Sequence, residues 1–372
     1  MRIGIDARMY GAQATTGIGT YIKQLTDALF LIDKTNEYVL FMRPEMLKTF
    51  IPPSPRIRIV EADIPWYSWS EQMKLPAIIA REQCDIVHFP HFNVPLFYRG
   101  RYVVTIHDLT PKFFPGPNVR RSFVRKFAYE MVFRRGIHRA EKVITISNHT
   151  KKQLNTYHLA VMRNVAVIGL GVDGQYTPNI SPEKLSAIKE KYRIKKPYIV
   201  YVGVWRDHKN IPGLVKAFEC IHRDHGIDAQ LVLCGTPDDR YPEVIAAIEH
   251  SPVRSDIVLP GFVDDADLPG LYAGATANIL VSFAEGFGLV ALEAAACGTP
   301  TVCSNSTSVP EVMGDAVLSC DPKDSADIAE KIALMFTDEL MRKTLSARGI
   351  ERAQSYRWDE CARKTLDIYQ TV

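Results

Sequence analysis

TANILVSFAEGFGLVALEAAACGTP, residues 276–300, is the stretch whose reading decides the fold. TANILVS is a short apolar run of the kind a buried strand carries. FAEGFG follows as a glycine-flanked turn. LVALEAAACG then has the Ala and Leu content of a helix, stopped by Gly298 and Pro300. Strand, tight turn and helix in this order form the repeating unit of a parallel α/β sheet. The unit recurs outward along the chain. RIGIDA, EYVLFM, DIVHF, YVVTIHD and KVITIS read as strands in the first half, and YIVYVG, AQLVLCG and DIVLPGF in the second, with helical patterns such as Tyr21–Phe30 and Ile211–His225 between them.

The series runs twice. The expected fold is therefore α/β, with two Rossmann-like, doubly wound parallel sheets facing across a cleft, and ligands beyond the carboxyl ends of the strands. The divide is expected near residue 178, within GVDGQYTPNISPEKLSAIKEKY, giving domains at 1–178 and 179–355. The last segment, 356–372, puts Trp358, Cys361, Leu366 and Tyr369 on one helical face. It either closes the second domain or crosses back to complete the first.

Composition excludes several classes. The 372 residues suffice for two or three domains of roughly 100–200 residues each. A net charge of +3 gives no case for a nucleic-acid binder. The seven cysteines are scattered without a CxxC pair, which argues against a disulfide framework or a zinc site and for a reducing, cytoplasmic setting. MRIGIDARMYG lacks the apolar core of a signal peptide, and no stretch approaches the ~20 apolar residues of a membrane span.

The opening stretch carries two carboxylates, Glu285 at the strand's carboxyl end and Glu293 within the helix. Eight helical residues advance ~12 Å, too far for one small metal ion. The two acids suit opposite ends of a longer ligand. Between them Gly286, Phe287, Gly288 and Leu289 present backbone N–H groups at a helix N-terminus, which attracts phosphate. A nucleoside diphosphate sugar has that shape. The plainer reading is a helix cap at Glu285 and a surface Glu293.

Three further stretches lie at strand ends. In YVGVWRDHKN a buried strand ends at Gly203, and a loop presents Arg206, His208 and Lys209, either to a departing diphosphate or to solvent. In YVVTIHDL, His107 either bonds a substrate or is held structurally by Asp108. In ATTGIGTYIKQL, Thr16, Gly17 and Gly19 form a loop before a helix that either closes over phosphate or simply turns.

Together these residues resemble glycosyltransferase family 4, retaining enzymes of the GT-B fold. The resemblance covers nearly the whole chain, from GIGTY through IHDL, VITISNHTKKQL and YVGVWRDHKN to GFVDDADLPGLYAGA and the E-x7-E stretch. It implies that Glu285 binds hydroxyls of the donor sugar and Glu293 the ribose. Phe287, Gly288 and Leu289 would meet sugar and diphosphate through their backbone, and Lys209 would hold the diphosphate. Gly17 and Gly19 would lie near the donor phosphates, His107 beside the transferred sugar, and Phe262 and Val263 near the base. Many relatives have Arg directly before the lysine. Here His208 stands there, and Arg206 is expected to supply the second positive charge. His208 on phosphate would make donor affinity depend on pH near its pKa.

The implied function is transfer of a hexose, with mannose the first choice, from a GDP- or UDP-sugar to a glycan or lipid-linked acceptor. Retention of configuration and no essential metal or other cofactor are expected. The alternatives are a non-catalytic sugar-nucleotide-binding protein of the same fold and a nicotinamide-dependent dehydrogenase. The second needs G-x-G-x-x-G straight after the first strand, and GIGTYI lacks the third glycine. The D-x-D of Asp265–Asp267 opens a helix and is expected to cap it rather than bind metal. The basic, aromatic stretch 119–142, with Arg120, Arg121, Arg125, Lys126, Arg134, Arg135 and Arg139 among Phe123, Phe127 and Phe133, either rests on an anionic membrane or packs its rings inward. Trp66, Tyr67 and Trp69 either meet an acceptor sugar or join the core.

Overall fold

A computed structural model describes residues 1–11, 17–117, 122–157, 159 and 164–372. The chain divides into two compact units, one of Met1–Gly171 with Arg357–Val372 and one of Val172–Tyr356. The C-terminal helix Trp358–Thr371 thus crosses back to the first unit, where it packs on the helix Gly17–Ile32. Its buried face is Trp358, Cys361, Ala362, Thr365 and Tyr369; Thr365 takes the place expected of Leu366, which is half-buried.

The first unit holds strands β1 (Arg2–Asp6), β2 (Glu37–Met42), β3 (Ile57–Glu61), β4 (Ile86–Phe89), β5 (Tyr102–Ile106), β6 (Lys142–Thr145) and β7 (Val165–Val167). All pairs are parallel, in the order β3-β2-β1-β4-β5-β6-β7. The second unit holds β8 (Tyr198–Val202), β9 (Gln230–Cys234), β10 (Ile257–Gly261), β11 (Ala277–Leu280), β12 (Thr301–Ser304) and β13 (Val317–Cys320), again all parallel, in the order β10-β9-β8-β11-β12-β13. The chain winds outward one way, returns to the middle and winds the other way. Each sheet therefore has one switch point: between β1 and β4 in the first, between β8 and β11 in the second. There the two following connections leave in opposite directions and open a crevice.

Burial on both faces explains the unbroken apolar runs of the central strands. Every residue of β5 and β9 is buried. The helix Ile211–His225 shows how the cover is built. Pro212 sits in its first turn, and Ile211, Leu214, Val215, Phe218 and Ile221 repeat at helical spacing and are buried against Ile199, Leu231 and Leu233. Each such side chain contributes about 1.5–3 kcal/mol of burial free energy. Gly226, in the left-handed region at φ 64°, ends the helix. The helix Gly17–Ile32 buries Tyr21, Ile22, Leu25 and Leu29 in the same way. Gly17 and Gly19 lie inside its first turn and not in a loop before it, while Thr16 falls outside the described residues.

Candidate functional site

The second switch point is where the opening stretch of sequence meets YVGVWRDHKN. After β8 the chain passes Gly203 and makes a short 3-10 turn, Asp207–Lys209, ended by Asn210 in the left-handed region at φ 56°. The Asn210 amide holds this conformation by donating to the carbonyls of Val281, 3.1 Å, and Pro322, 2.7 Å. The connection after β11 is tied to it directly, since the Phe283 N–H donates to the His208 carbonyl at 2.8 Å.

These tethers bring Lys209 Nζ to 2.6 Å from Glu285 Oε1. Ser282 Oγ donates to the same oxygen at 2.7 Å. Burial alone would raise the Glu285 carboxyl; the nearby ammonium and the serine outweigh it and hold it below the usual range. The helix-cap reading of Glu285 gives way to an ion pair. Its backbone is pinned as well, by Ser308 Oγ donating to its carbonyl at 2.8 Å. Arg206 precedes the 3-10 turn, and its carbonyl accepts the Lys209 N–H at 2.9 Å. His208 is pushed down to about 4, first by burial and then by the Lys209 charge. It is neutral at physiological pH, so any pH dependence it confers lies well below neutrality.

Gly286, Phe287 and Gly288 lead into the helix Leu289–Ala296. Gly288 has φ 83°, and a Cβ there would sit 2.6 Å from Val309, so backbone and space both require glycine. The Ala291 N–H donates back to the Gly288 carbonyl at 2.9 Å, and the N–H groups of Leu289 and Val290 stand at the helix start beyond β11, where a helix N-terminus attracts anions. Phe287 is buried edge-on against Tyr356, 5.6 Å between ring centres. Glu293 is no surface acid; it is 9% exposed. Burial pushes its carboxyl up to about 7, Asp265 and Asp173 adding to the rise while Tyr176 and Tyr272 oppose it. Val263 is buried and Phe262 is 52% exposed after β10, which leaves an aromatic face open.

Ser282, Ser308, Tyr176, Tyr272 and Asn210 escaped the sequence reading: no pattern marks the Ser282 hydroxyl as the donor to Glu285 three residues on, and the others act on groups distant in sequence. The D-x-D does not cap its helix. No side-chain cap forms at Asp267, which instead accepts from Lys191 Nζ at 2.5 Å and the Tyr192 hydroxyl at 2.7 Å. Among the described residues no group of three or more His, Cys, Asp or Glu is placed to hold a metal ion.

In the first unit His107 follows β5. Its Nε2 is 2.8 Å from the Pro90 carbonyl, and its ring lies edge-on to Tyr21 at 4.8 Å. A carbonyl only accepts, so Nε2 carries a proton. Burial pulls the imidazole pKa down. Asp108 spends a carboxylate oxygen on the Thr110 N–H, 2.8 Å away. Gly17, Gly19 and His107 belong to the first unit, and Lys209, Glu285, Glu293 and the residues around them to the second.

The stretch 119–142 divides. Phe133 and Tyr129 pack inward near Phe92, while Phe123, Val124, Phe127 and Met131 are exposed on the helix Phe123–His138 beside Arg125 and Lys126. Arg120 and Arg121 lie outside the described residues. Among the described residues no helix is long and apolar enough to cross a membrane.

Residues 15–176 match the model for Glycosyltransferase Family 4, and residues 185–352 the model for Glycosyl transferases group 1. The O-antigen chain mannosyltransferase B of Escherichia coli is 31% identical over 292 residues, 77% of this chain and 74% of that one. Two solved structures share the fold over the whole chain. Sucrose-phosphate synthase from Thermosynechococcus elongatus superposes with a TM-score of 0.78 at 21% identity, covering 98% of that chain. HepE of Anabaena, in complex with UDP and glucose, gives 0.78 at 18% identity, covering all of it.

Proposed function

Because this chain belongs to glycosyltransferase family 4 and has its GT-B fold, we propose that it transfers a hexose, mannose first, from a nucleoside diphosphate sugar to a growing glycan or lipid-linked acceptor, with retention of configuration. That it is a glycosyltransferase of polysaccharide synthesis follows from its relatives; the donor, the stereochemistry and the residue roles are our reading. The single observation that carries it is the Lys209–Glu285–Ser282 cluster at the second switch point, beside a helix N-terminus.

In this reading the diphosphate lies against the N–H groups at Leu289 and beside Lys209 and Arg206. Lys209 is held by Glu285 until phosphate draws it away. Glu285 then accepts hydroxyls of the hexose. Glu293 accepts from the ribose, Phe262 and Val263 flank the base, and Gly203 and His208 line the phosphate end. Gly17 and Gly19 approach the donor phosphates and His107 the hexose. The bond from C1 to the phosphate oxygen breaks as the acceptor oxygen attacks C1 from the same face. The acceptor proton passes to the departing phosphate oxygen, so nucleoside diphosphate leaves. Lys209, Arg206 and the helix N-terminus stabilise the growing charge, and on this reading no metal is required.

The test is product release from a panel of GDP-, UDP- and ADP-sugars with a mannoside acceptor, with and without EDTA, followed by NMR of the new anomeric centre. Turnover of one donor, insensitive to EDTA and giving the retained anomer, supports every part. Inversion or EDTA sensitivity overturns the corresponding part. Nucleotide binding without transfer to any acceptor would favour the non-catalytic alternative.

A second, separate contact has its own support. The exposed apolar row Phe123, Val124, Phe127 and Met131 beside Arg125 and Lys126 suits the surface of an anionic membrane, which would serve a lipid-linked acceptor. The seven unpaired cysteines fit a cytoplasmic location for that contact. Flotation with phosphatidylglycerol vesicles, lost in Phe123→Ser/Phe127→Ser and absent with phosphatidylcholine, is the expected result.

A further inference from the structure

The C-terminal helix Trp358–Thr371 carries the hydroxyl of Tyr369 into the core of the first unit. There it lies 2.6 Å from Nδ1 of His88, on β4. The other ring nitrogen, Nε2, is 2.8 Å from Thr105 Oγ1, on β5. The same Thr105 oxygen is 3.1 Å from the hydroxyl of Tyr21, on the helix Gly17–Ile32. Four side chains from four elements thus form one chain of hydrogen bonds, and all four are buried from solvent. Burial holds the His88 imidazole down to about 3, so the ring is neutral. A neutral imidazole has one N–H and one lone pair. If Tyr369 donates to Nδ1, Nε2 must donate to Thr105; if Nδ1 donates, Nε2 must accept. The ring therefore passes on to Thr105 the direction of the bond it makes with Tyr369.

The chain of bonds ends on His107, because the Tyr21 ring stands edge-on to the His107 ring. Pro90 lies two residues beyond His88, and His107 two residues beyond Thr105. The His88–Thr105 bond and the His107–Pro90 bond therefore join the same two stretches at the same separation in sequence, 17 residues. They form successive rungs, about 7 Å apart along the strands. Tyr21 bridges the two rungs, with its hydroxyl on Thr105 and its ring against His107. A core built only for stability would fill this space with apolar side chains. A buried polar chain gains little over them and costs much when one member is missing.

This inference rests on the reading that His107 meets the transferred hexose, and it adds the residues that hold His107 there. We propose that Tyr369, His88, Thr105 and Tyr21 are positioning residues for the transfer. Tyr369 and His88 fix the Thr105 hydroxyl, Thr105 fixes the Tyr21 ring, and that ring holds the His107 imidazole against the Pro90 carbonyl. The Pro90 bond fixes one point of the imidazole, and the Tyr21 edge fixes its plane. None of the four touches the reacting atoms, and no proton moves along the chain. The last helix of the sequence thereby serves the site without reaching it.

The deciding readout needs no turnover. Full-length protein labelled with nitrogen-15 histidine is compared by NMR with Tyr369→Phe, Thr105→Val and the double variant, and His107→Gln assigns the His107 ring signals. Each test substitution keeps the shape of the side chain and removes its hydroxyl. Thr365→Val is the control, since it removes a buried hydroxyl of the same helix whose bond goes to the Cys361 carbonyl of that helix. Wild type should show the His107 proton on Nε2. Tyr369→Phe and Thr105→Val should shift the His107 signals toward an average of the two tautomers, Thr105→Val the further. The double variant should go no further than Thr105→Val, because both act through one chain. Thr365→Val should leave the signals in place. In transfer assays kcat should fall roughly tenfold in Thr105→Val, since reacting groups tolerate little misplacement, while nucleoside diphosphate binds as it does to wild type. Should Thr105→Val fail to fold, Tyr369→Phe carries the test. His107 signals unchanged in the test variants, or changed equally in Thr365→Val, overturn the inference. If the signals move and kcat does not, the part given to His107 falls, and the role of the chain in transfer falls with it. If wild type turns over no donor, the transferase reading fails by itself, and the His107 signals still decide whether the chain holds the ring.

Discussion

At the switch point of the first sheet a guanidinium is locked by two carboxylates; at that of the second an ammonium is held by one. Arg8 has 1% of its side chain exposed, and its partners Asp6 and Glu71 have 12% and none. Lys209 and Glu285 have 17% and 12%. The first arrangement directs four of the five guanidinium N–H donors to internal acceptors. The second leaves a flexible cation with three donors, one of them on Glu285, beside N–H groups that also seek an anion. The same topology thus yields a site poor in available positive charge in one unit and rich in it in the other.

The largest effect should come from breaking the locked pair. Arg8→Met leaves two carboxylates without their cation, one of them fully buried, and should cost about 3–5 kcal/mol of stability. A drop in the denaturant midpoint checks this. A loss under 1 kcal/mol would show that Arg8 is not structural, and the contrast would fail. Lys209→Ala should behave oppositely, with modest loss of stability and a fall in kcat on the order of 10²-fold or more. Turnover like that of wild type would remove the cation from the chemistry.

Glu293 sharpens the comparison inside the second unit. Its folded pKa, about 7, exceeds the ordinary 4.5 because the side chain is buried. The folded state therefore binds more protons than the unfolded state between those values, so its contribution to stability is present at pH 4.5 and lost as pH rises to 7. Glu293→Gln removes that penalty and should stabilise the protein at pH 8 relative to pH 5, by on the order of 2 kcal/mol. On the proposed ribose contact, nucleotide affinity should run the other way, since the ionised carboxylate is the stronger acceptor. In wild type it should weaken as pH falls below 7, and the variant should lose that slope. Melting curves and calorimetry across pH 5–8 check both signs.

The central strands and the helix Ile211–His225 were legible because burial on both faces writes apolar runs and 3.6-residue periods into the sequence. The strands β3, β7, β12 and β13 were not read from pattern; β7 spans only Val165–Val167, too short to show a period. At the candidate site, the placement of Glu285, Lys209 and the Gly288 turn was readable because they border strand ends. The carboxylate–ammonium contact itself was not, since it depends on Asn210 folding one connection onto the other across 71 residues. The D-x-D misled for a related reason. An acid at a helix start fits a cap locally, but Lys191 and Tyr192 supply stronger donors from another helix. The aromatic run Trp66–Trp69 could not be sorted from sequence; Trp66 is half-buried while Tyr67, in the left-handed region, and Trp69 are exposed, so neither Tyr67 nor Trp69 joins the core.

The smallest predicted effect probes how Glu285 is aimed. Ser282 Oγ and Lys209 Nζ meet the same carboxylate oxygen, Oε1, and on our reading Oε2 is the oxygen that would meet a ligand hydroxyl. If phosphate draws Lys209 away, as proposed, Ser282 would be the side-chain donor left to keep the carboxylate turned. Ser282→Ala should therefore cost about 1 kcal/mol, the net worth of one hydrogen bond, or roughly fivefold. The cost should fall on a step in which Lys209 has already left. Nucleoside diphosphate without sugar should bind the variant as it binds wild type, whereas KM for the intact nucleotide sugar should rise. Equal weakening of both ligands would mean that Ser282 supports the loop and not the carboxylate, and Glu285 would then be oriented by its backbone bond from Ser308 alone.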